Sequence, residues 1–453
     1  MPSFWRWPGV GAVLRALDRV GDRYLPRPQV PPLPPARGPL PLDVFAAESS
    51  QGLWAGAASA DITPPEVTRS WVAGFAPGRR CTGLRDPLFA RCLVLRAGQV
   101  PLVLISLDLI GLFANRVERL RGLISRDHPS AVWITCTHNH QSPYTLGLRG
   151  PALAHRIPIR SGVDPEYMDV LELRVVGMVE AALAAARPAR MHTAAGDFDR
   201  SGKWVHNERS AVLDREMRVL QVDGLDDRSI ATLVQHACHP ETLWDDNTLM
   251  SADFPAVCCQ TVEEQLGGTA LFFNGALGAM VSAAVGPNTP LAFRGELLET
   301  LGKRMGQSAL RLARRARRAE PLEAVIRTAL GRLVLPAEDN RLVSFLLALG
   351  VIEGRSVEGG LKSEVGLARL GSLILLALPG EPAPELALEL LARLPGRQHM
   401  LLGLANDELG YLLPPEFFHD PAYAYERGMS PGPMAATRIA LALERLLELD
   451  SGA

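Results

Sequence analysis

The chain has 453 residues, a length that predicts one large domain with shorter appendages. Hydrophobic residues make up 47% and charged residues 21%, which is the composition of a folded globular protein and excludes a disordered or fibrous one. The formal net charge is -2, and no basic block is interleaved with aromatic residues, so a nucleic-acid partner is not expected. The six cysteines are scattered along a chain long enough to fold without disulfides, which predicts free, buried thiols.

The amino terminus predicts an amphipathic helix within residues 1–25, because apolar residues recur there at helical spacing among charged ones. Three interpretations stay open: a helix docked on the protein's own body, a peripheral membrane contact through residues 4–25 with Trp5 among the anchors, or a disordered segment. Charged residues such as Arg15 interrupt any secretory signal, and no apolar run reaches the ~18 residues of a transmembrane helix. We therefore expect a cytoplasmic protein.

The rest of the chain predicts an α/β domain. Residues 26–50 open with the proline-rich stretch PRPQVPPLPPARGPLP and are expected to form an extended linker. In residues 51–450, apolar runs such as PLVLISLDLIG and AVWITCT alternate with helical segments at 114–126, 165–187, 254–266 and 292–318, which predicts a mixed β-sheet core flanked by helices. Residues 336–362 fit this scheme poorly and are expected to be an insertion that shapes a site rim or a partner surface.

Histidines follow two of the predicted strands. His138 and His140, in THNH, come directly after AVWITC and share a face in extended chain. His239, in HPETL, follows the strand ATLV just before a proline-induced turn. Strand ends border the groove where α/β proteins bind ligands, and neutral imidazole is a common zinc ligand. Either pair taken alone is also typical of histidines in a hydrogen-bonded loop.

Two further polar clusters follow later strands. Glu381, in PGEP, ends the strongly apolar SLILLALPG, where a buried carboxylate needs a cation or hydrogen bonds; a glutamate at a helix start is the alternative. The loop after residue 403 holds Tyr411 and Tyr425, and tyrosines in such loops commonly just pack. Asp253, in SAD, is read equally well as an acceptor for a ligand imidazole N–H and as a helix N-cap.

The order of these clusters resembles that of the neutral (alkaline, non-lysosomal) ceramidase family over about 370 residues. Members of that family show an ADIT opening, a THTH segment, an HP segment followed by a serine–aspartate pair, a PGE segment, and a GxxNxxxxY loop that ends in YE. The corresponding segments here are ADIT at 60–63, THNH at 137–140, HPETL at 239–243 with SAD at 251–253, PGE at 379–381, GLANDELGY at 403–411 and YE at 425–426.

The resemblance implies a hydrolase with a metal site at the strand ends of its catalytic domain. The implied zinc ligands are His138, His239, Glu381 and Tyr411. The implied activity is that of an N-acylsphingosine amidohydrolase of sphingolipid metabolism, in which zinc-bound water cleaves the amide of ceramide or of a related N-acylated amphiphile.

The resemblance also implies residues that assist the reaction. His140 would move protons, while Arg209 and Tyr425 would stabilise the developing oxyanion. The expected partner is therefore a lipid-like small molecule, and the expected cofactor is Zn²⁺.

Departures from the family leave the substrate open. Where members carry a GDVSPN-like segment, Ala279 replaces the aspartate, and Ser282 is expected only as a substrate contact because a serine without a nearby base is a poor nucleophile. The carboxy-terminal β-sandwich domain of full-length ceramidases is expected to be absent. The alternatives are an ester or small-amide hydrolase on the same scaffold, and a non-catalytic lipid-binding relative.

Overall fold

The computed structural model describes residues 42–48, 52–126, 129–147, 152–153, 157–158, 161–282, 288–335, 361–396 and 398–450. The α-helices in these ranges are Ala114–Ser125 (α1), Pro165–Ala184 (α2), Asp253–Leu266 (α3), Leu291–Ala316 (α4), Pro384–Ala392 (α5), Ala424–Gly428 (α6) and Met434–Asp450 (α7). Short 3₁₀ turns lie at Val67–Arg69, Pro415–His419 and Pro421–Tyr423. The amphipathic helix predicted for residues 1–25 and most of the predicted insertion at 336–362 lie outside the described residues.

The strands up to residue 224 are Leu42–Glu48 (β1), Leu53–Asp61 (β2), Gly83–Leu84 (β3), Phe89–Arg96 (β4), Leu102–Leu107 (β5), Ala131–Cys136 (β6), Ala152–Leu153 (β7), Ile157–Pro158 (β8), Arg187–Asp197 (β9), Val205–Asn207 (β10) and Glu216–Gly224 (β11). The later strands are Ser229–His236 (β12), Leu249–Met250 (β13), Thr269–Asn274 (β14), Met280–Ser282 (β15), Val325–Leu335 (β16), Leu361–Leu370 (β17), Leu373–Ala377 (β18), Glu381–Pro382 (β19), His399–Leu402 (β20) and Tyr411–Leu412 (β21). Strand β1 lies within the range 26–50 that the sequence predicts as linker.

The larger sheet has eight strands in the order β14-β12-β11-β9-β2-β4-β5-β6. It is mixed, because β5 pairs with β6 and β12 with β14 in parallel, whereas the inner strands pair antiparallel. Both faces of this sheet are apolar. Along β4, Leu93 and Leu95 enter one buried cluster while Cys92 and Val94 enter another, as the two-residue period of a strand requires.

A second sheet packs on one face of the first. It has five strands in the order β1-β16-β17-β18-β20, and residues of both sheets share one buried cluster. Trp133 of β6 lies in this layer, and a Cβ atom at Gly366 of β17 would come within 2.9 Å of its ring. The glycine therefore allows the large indole to fit between the sheets.

Helices cover the two outer faces. Helices α1 and α2 pack with α3 and α4 on the outer face of the eight-stranded sheet, while α5 and α7 cover the five-stranded sheet. Asp164 caps α2 by accepting the N–H groups of Glu166 and Tyr167, and Pro165 occupies its first turn. The result is a four-layered helix–sheet–sheet–helix body, and the predicted α/β class with a mixed sheet flanked by helices is confirmed. The six cysteines are free and buried, as predicted.

Several strands end at the same edge of this body. Asn406, in the loop after β20, donates its N–H to Ile134 of β6, and Gly403 of the same loop donates to Asn274 at the end of β14. Gly275 in turn donates to His236 at the end of β12. The loops that follow β6, β12, β14 and β20 are therefore neighbours. Among the described helices, none has both the length and the apolar character needed to cross a bilayer.

Candidate metal centre

His138 lies in the loop after β6 and has a left-handed backbone, with φ of 66°. This conformation is uncommon for a residue with a side chain and is found at constrained functional positions. The imidazole is buried, and its Nδ1 lies 2.8 Å from the carbonyl oxygen of Ile110. A carbonyl only accepts, so Nδ1 must donate, which leaves the Nε2 lone pair directed away from that carbonyl.

His239 is held in the same way after β12. Its Nδ1 donates to the carbonyl oxygen of Met280 at 2.9 Å, and its backbone pairs with Val281 in an isolated bridge. The Nε2 atom lies 3.0 Å from Oε2 of Glu381, and Nε2 of His138 lies 3.5 Å from that oxygen. Two imidazoles of fixed tautomer therefore converge on one carboxylate oxygen.

Glu381 and Tyr411 are register partners in the two-stranded parallel sheet β19–β21. Glu381 donates its N–H to Gly410, and the Tyr411 hydroxyl forms a hydrogen bond with the Glu381 carboxylate. Burial, followed by the charge of Glu381, raises the pKa of Tyr411 well above its ordinary value. All four predicted ligands, from four separate segments of the chain, are at most 8% exposed and lie in one cluster.

The donor set can hold a metal ion. With both Nδ1 atoms donating to carbonyls, the Nε2 lone pair of His239 faces a carboxylate oxygen at 3.0 Å, an arrangement that is stable only with a proton or a metal ion between them. Burial lowers the pKa of His138 to about 4, whereas for His239 the hydrogen bond and charge of Glu381 overcome burial and raise the pKa to about 9. Two ligands of a tetrahedral zinc ion lie about 3.3 Å apart, so the observed separations fit zinc.

Asn274 joins the two histidine loops and was missed from the sequence. Its Nδ2 donates to the carbonyl oxygens of Thr137 and Cys238 at 3.0 and 2.8 Å, and its Oδ1 accepts the Cys238 N–H at 3.0 Å. Thr137 and Cys238 immediately precede His138 and His239. The signal was present, because Asn274 is a polar residue at the end of the apolar strand TALFFN, the same position that marked the histidines.

His140 lies beside the cluster. Its ring centroid is 5.0 Å from that of His138 and 5.6 Å from that of His239. Its Nδ1 is 3.6 Å from Oε2 of Glu241, a buried carboxylate that the sequence analysis did not single out. Burial raises the pKa of Glu241 to about 7. A Cβ atom at Gly74, where φ is +70°, would lie 2.5 Å from the His140 ring, so only glycine leaves room for it.

Arg209 and Tyr425 flank Tyr411 on another side of the cluster. Arg209 is buried and donates its Nε–H to the carboxylate of Glu426. Burial opposes this charge, but Glu426, Glu208 and Tyr411 together raise the pKa of Arg209. The Tyr425 ring lies 5.7 Å from that of Tyr411. Both predicted oxyanion-stabilising residues are thus brought to the neighbourhood of the ligands.

Ser282 and Asp253 stand in other surroundings. Ser282 ends β15 opposite Val205, and its buried Oγ makes no hydrogen bond to the described residues. In the GDVS segment of the family the serine comes two residues after the aspartate. Counted from Ala279, which replaces that aspartate, the corresponding residue is Val281 rather than Ser282. Asp253 is the first residue of α3 and accepts the backbone N–H of Thr242 at 2.9 Å, so it fixes the main chain of the loop after His239. It does not accept the N–H of a ligand imidazole, because those N–H groups donate to the carbonyl oxygens of Ile110 and Met280.

Comparisons with known proteins bear on the fold. No protein-family model matches the sequence, and a search of curated proteins also finds no match. Among solved structures, neutral ceramidase from Pseudomonas aeruginosa is similar over 88% of this chain and 75% of its own, with a TM-score of 0.71 and 16% identity. A structure described as ceramidase complexed with C2 is similar over 88% of this chain and 76% of its own, with the same score and identity. The chain therefore has the neutral ceramidase fold, as the ordered motifs predict.

Proposed function

We propose that this protein is a zinc-dependent hydrolase that cleaves the amide bond of ceramide or of a related N-acylated amphiphile. One observation carries the proposal: His138 and His239, each with its tautomer fixed by a carbonyl, direct Nε2 at the same oxygen of Glu381. The neutral ceramidase fold around this cluster supports an amide as the substrate bond. We assign the activity to the domain predicted over residues 51–450.

The ligand set would be His138, His239, Glu381 and Tyr411. When bound, a zinc ion supplies Lewis-acid chemistry, polarising a carbonyl and making water a nucleophile near neutral pH. The protein's part is to hold the two imidazoles and an ionised carboxylate in place before the metal arrives, and the metal would displace the proton that His239 shares with Glu381. Burial alone would raise the pKa of Glu381, but His138, His239 and the Tyr411 hydroxyl lower it, which favours the ionised form that binds a cation.

His140 is the residue we assign to proton transfer. Its ring adjoins those of His138 and His239, and Glu241 lies 3.6 Å from its Nδ1. A carboxylate near Nδ1 would orient the imidazole, as in catalytic histidine–carboxylate pairs. The proton taken from water would pass through His140 to the leaving amine nitrogen, because that nitrogen must be protonated before the C–N bond breaks.

Arg209 and Tyr425 are assigned to the oxyanion that develops on the former carbonyl oxygen. A buried guanidinium held by Glu426 is pre-oriented and needs no reorganisation during the reaction. Tyr425, beside Tyr411, would add a hydroxyl donor. Ser282 stays a proposed substrate contact, since it follows Val281, whose backbone pairs with His239.

Substrate profiling tests the function. The purified protein, with and without prior chelation, is incubated with N-acylsphingosines of short and long acyl chain, simple N-acyl amines and matched esters, and fatty-acid release is measured. We expect chelator-sensitive release from the N-acylsphingosines and its recovery with zinc. Faster turnover of the esters or small amides would favour the alternative hydrolase, and turnover that survives complete metal removal would overturn the proposal.

A matched pair of variants tests the assignment of His140 to proton transfer. His140→Ala removes the proposed proton carrier. The control, His399→Ala, changes the first residue of β20, at the end of that strand away from the metal centre, where its Nε2 contacts the carbonyl oxygen of Pro395. We expect His140→Ala to lose at least 100-fold in kcat and His399→Ala to keep it. If His140→Ala kept full turnover, the assignment of His140 would be wrong.

A further inference from the structure

A second buried carboxylate lies against the proposed metal ligands. Glu408 is in the loop between β20 and β21 and is 6% exposed. Its Oε1 accepts the N–H of Gly410 at 2.8 Å, which fixes the direction of the carboxylate. A Cβ atom at Gly111 would come within 3.0 to 3.2 Å of the Glu408 side chain, so the glycine makes the room in which Glu408 lies.

The carboxylate is close enough to share a cation with two of the ligands. One ligand atom each from His138, Glu381 and Glu408 all lie within 4.8 Å of one another. Two carboxylates at such a separation in a buried site repel each other unless a proton or a cation lies between them.

We propose that Glu408 is a further ligand of the metal ion, so that the set on this chain is His138, His239, Glu381, Glu408 and Tyr411. This inference rests on the proposed function, because it concerns the same centre. Three of these five side chains offer oxygen, a donor set that admits coordination above four and suits harder divalent ions such as Mn²⁺ alongside Zn²⁺.

The test measures metal binding in the full chain. Wild type, Glu408→Gln and Glu172→Gln are stripped of metal, and the Kd for Zn²⁺ and for Mn²⁺ is measured by competition with a chromophoric chelator. Glu172 is the matched control, a buried glutamate that pairs with Arg116 and Arg119. We expect Glu408→Gln to weaken zinc binding at least 10-fold and Mn²⁺ binding more, while Glu172→Gln binds both like wild type.

A spectrum distinguishes a ligand from a residue that only orients one. In the Co²⁺-loaded protein, loss of a direct ligand changes the position and intensity of the visible bands. We expect this change in Glu408→Gln; a weaker Kd with an unchanged spectrum, or an unchanged Kd, overturns the assignment. Glu408→Asp, which keeps the charge but shortens the reach, carries the same test if Glu408→Gln does not fold. A wild-type chain that binds no divalent ion would instead overturn the proposed function together with this inference.

Discussion

Replacing Asn274 with alanine should loosen the metal centre without touching a ligand. The Asn274 side chain lies between the segments that precede His138 and His239 and is fully buried. Its removal frees two carbonyls and one N–H that the protein surrounds, so the two histidine loops lose the connection that sets their separation. We therefore expect losses in both folding stability and metal affinity.

Asn274 also accepts the N–H of Gly275 at 3.2 Å, but that N–H keeps a second acceptor, the carbonyl oxygen of His236, so the size of the stability loss follows from the other three hydrogen bonds. At about 1 kcal/mol net for each, Asn274→Ala should lower the free energy of unfolding by about 3 kcal/mol. Metal affinity should fall by about 10- to 100-fold, the usual effect of removing a group that orients ligands.

Gln221→Ala is the matched control. Gln221 is equally buried and also makes three side-chain hydrogen bonds, to Asp223, Ser229 and Thr232. Its partner Thr232 lies four residues before the end of β12, about 13 Å from that end along the strand. Gln221→Ala should therefore lose similar stability by urea unfolding but keep the wild-type Kd for zinc. Equal zinc affinity in the two variants would refute the role given to Asn274.

Three further predictions concern single residues. Burial lowers the pKa of His236 to about 4 from an ordinary 6.5, so below pH 6.5 the native state binds fewer protons at this residue than the unfolded state. The free energy of unfolding should therefore fall by about 3 kcal/mol between pH 6.5 and pH 4. A His236→Gln variant whose free energy of unfolding, measured with urea, falls equally over this pH range would contradict this. Ala279 has a φ of 66°, which strains a residue that carries a Cβ atom, so Ala279→Gly should hold or raise the melting temperature. Ala276→Gly, at an ordinary φ, should lower it. Equal losses in the two variants would refute the strain at Ala279. Gly74→Ala should displace His140 and cut kcat while metal content by elemental analysis stays at the wild-type level; unchanged kcat would show that the ring does not need that space.

Strand ends were the most informative feature of the sequence. The apolar runs before His138 and His239 form β6 and β12 as predicted, and Asn274 at the end of β14 holds the two histidine loops together. The helices predicted at 114–126, 165–187 and 254–266 match α1, α2 and α3 to within a few residues at their ends. Periodicity sufficed there because these elements depend on local spacing.

Other features depend on contacts that no local pattern encodes. The stacking of a second sheet on the first depends on pairs such as Trp133 with Gly366, which are far apart in the sequence. Glu241 and Glu408 look like ordinary loop carboxylates until the fold buries them beside His140 and His138. Tyr411 was implied by family resemblance alone, and its hydrogen bond to Glu381 arises from the pairing of β19 with β21.

Metal content tests the central claim most directly. Wild type and His239→Ala are purified without chelator, confirmed as folded by circular dichroism, and analysed for bound metal per chain. The convergence of His138 and His239 on Glu381 predicts about one equivalent of zinc in wild type and a large loss in His239→Ala. Folded wild type that takes up no zinc, or His239→Ala that retains a full equivalent, would contradict the account.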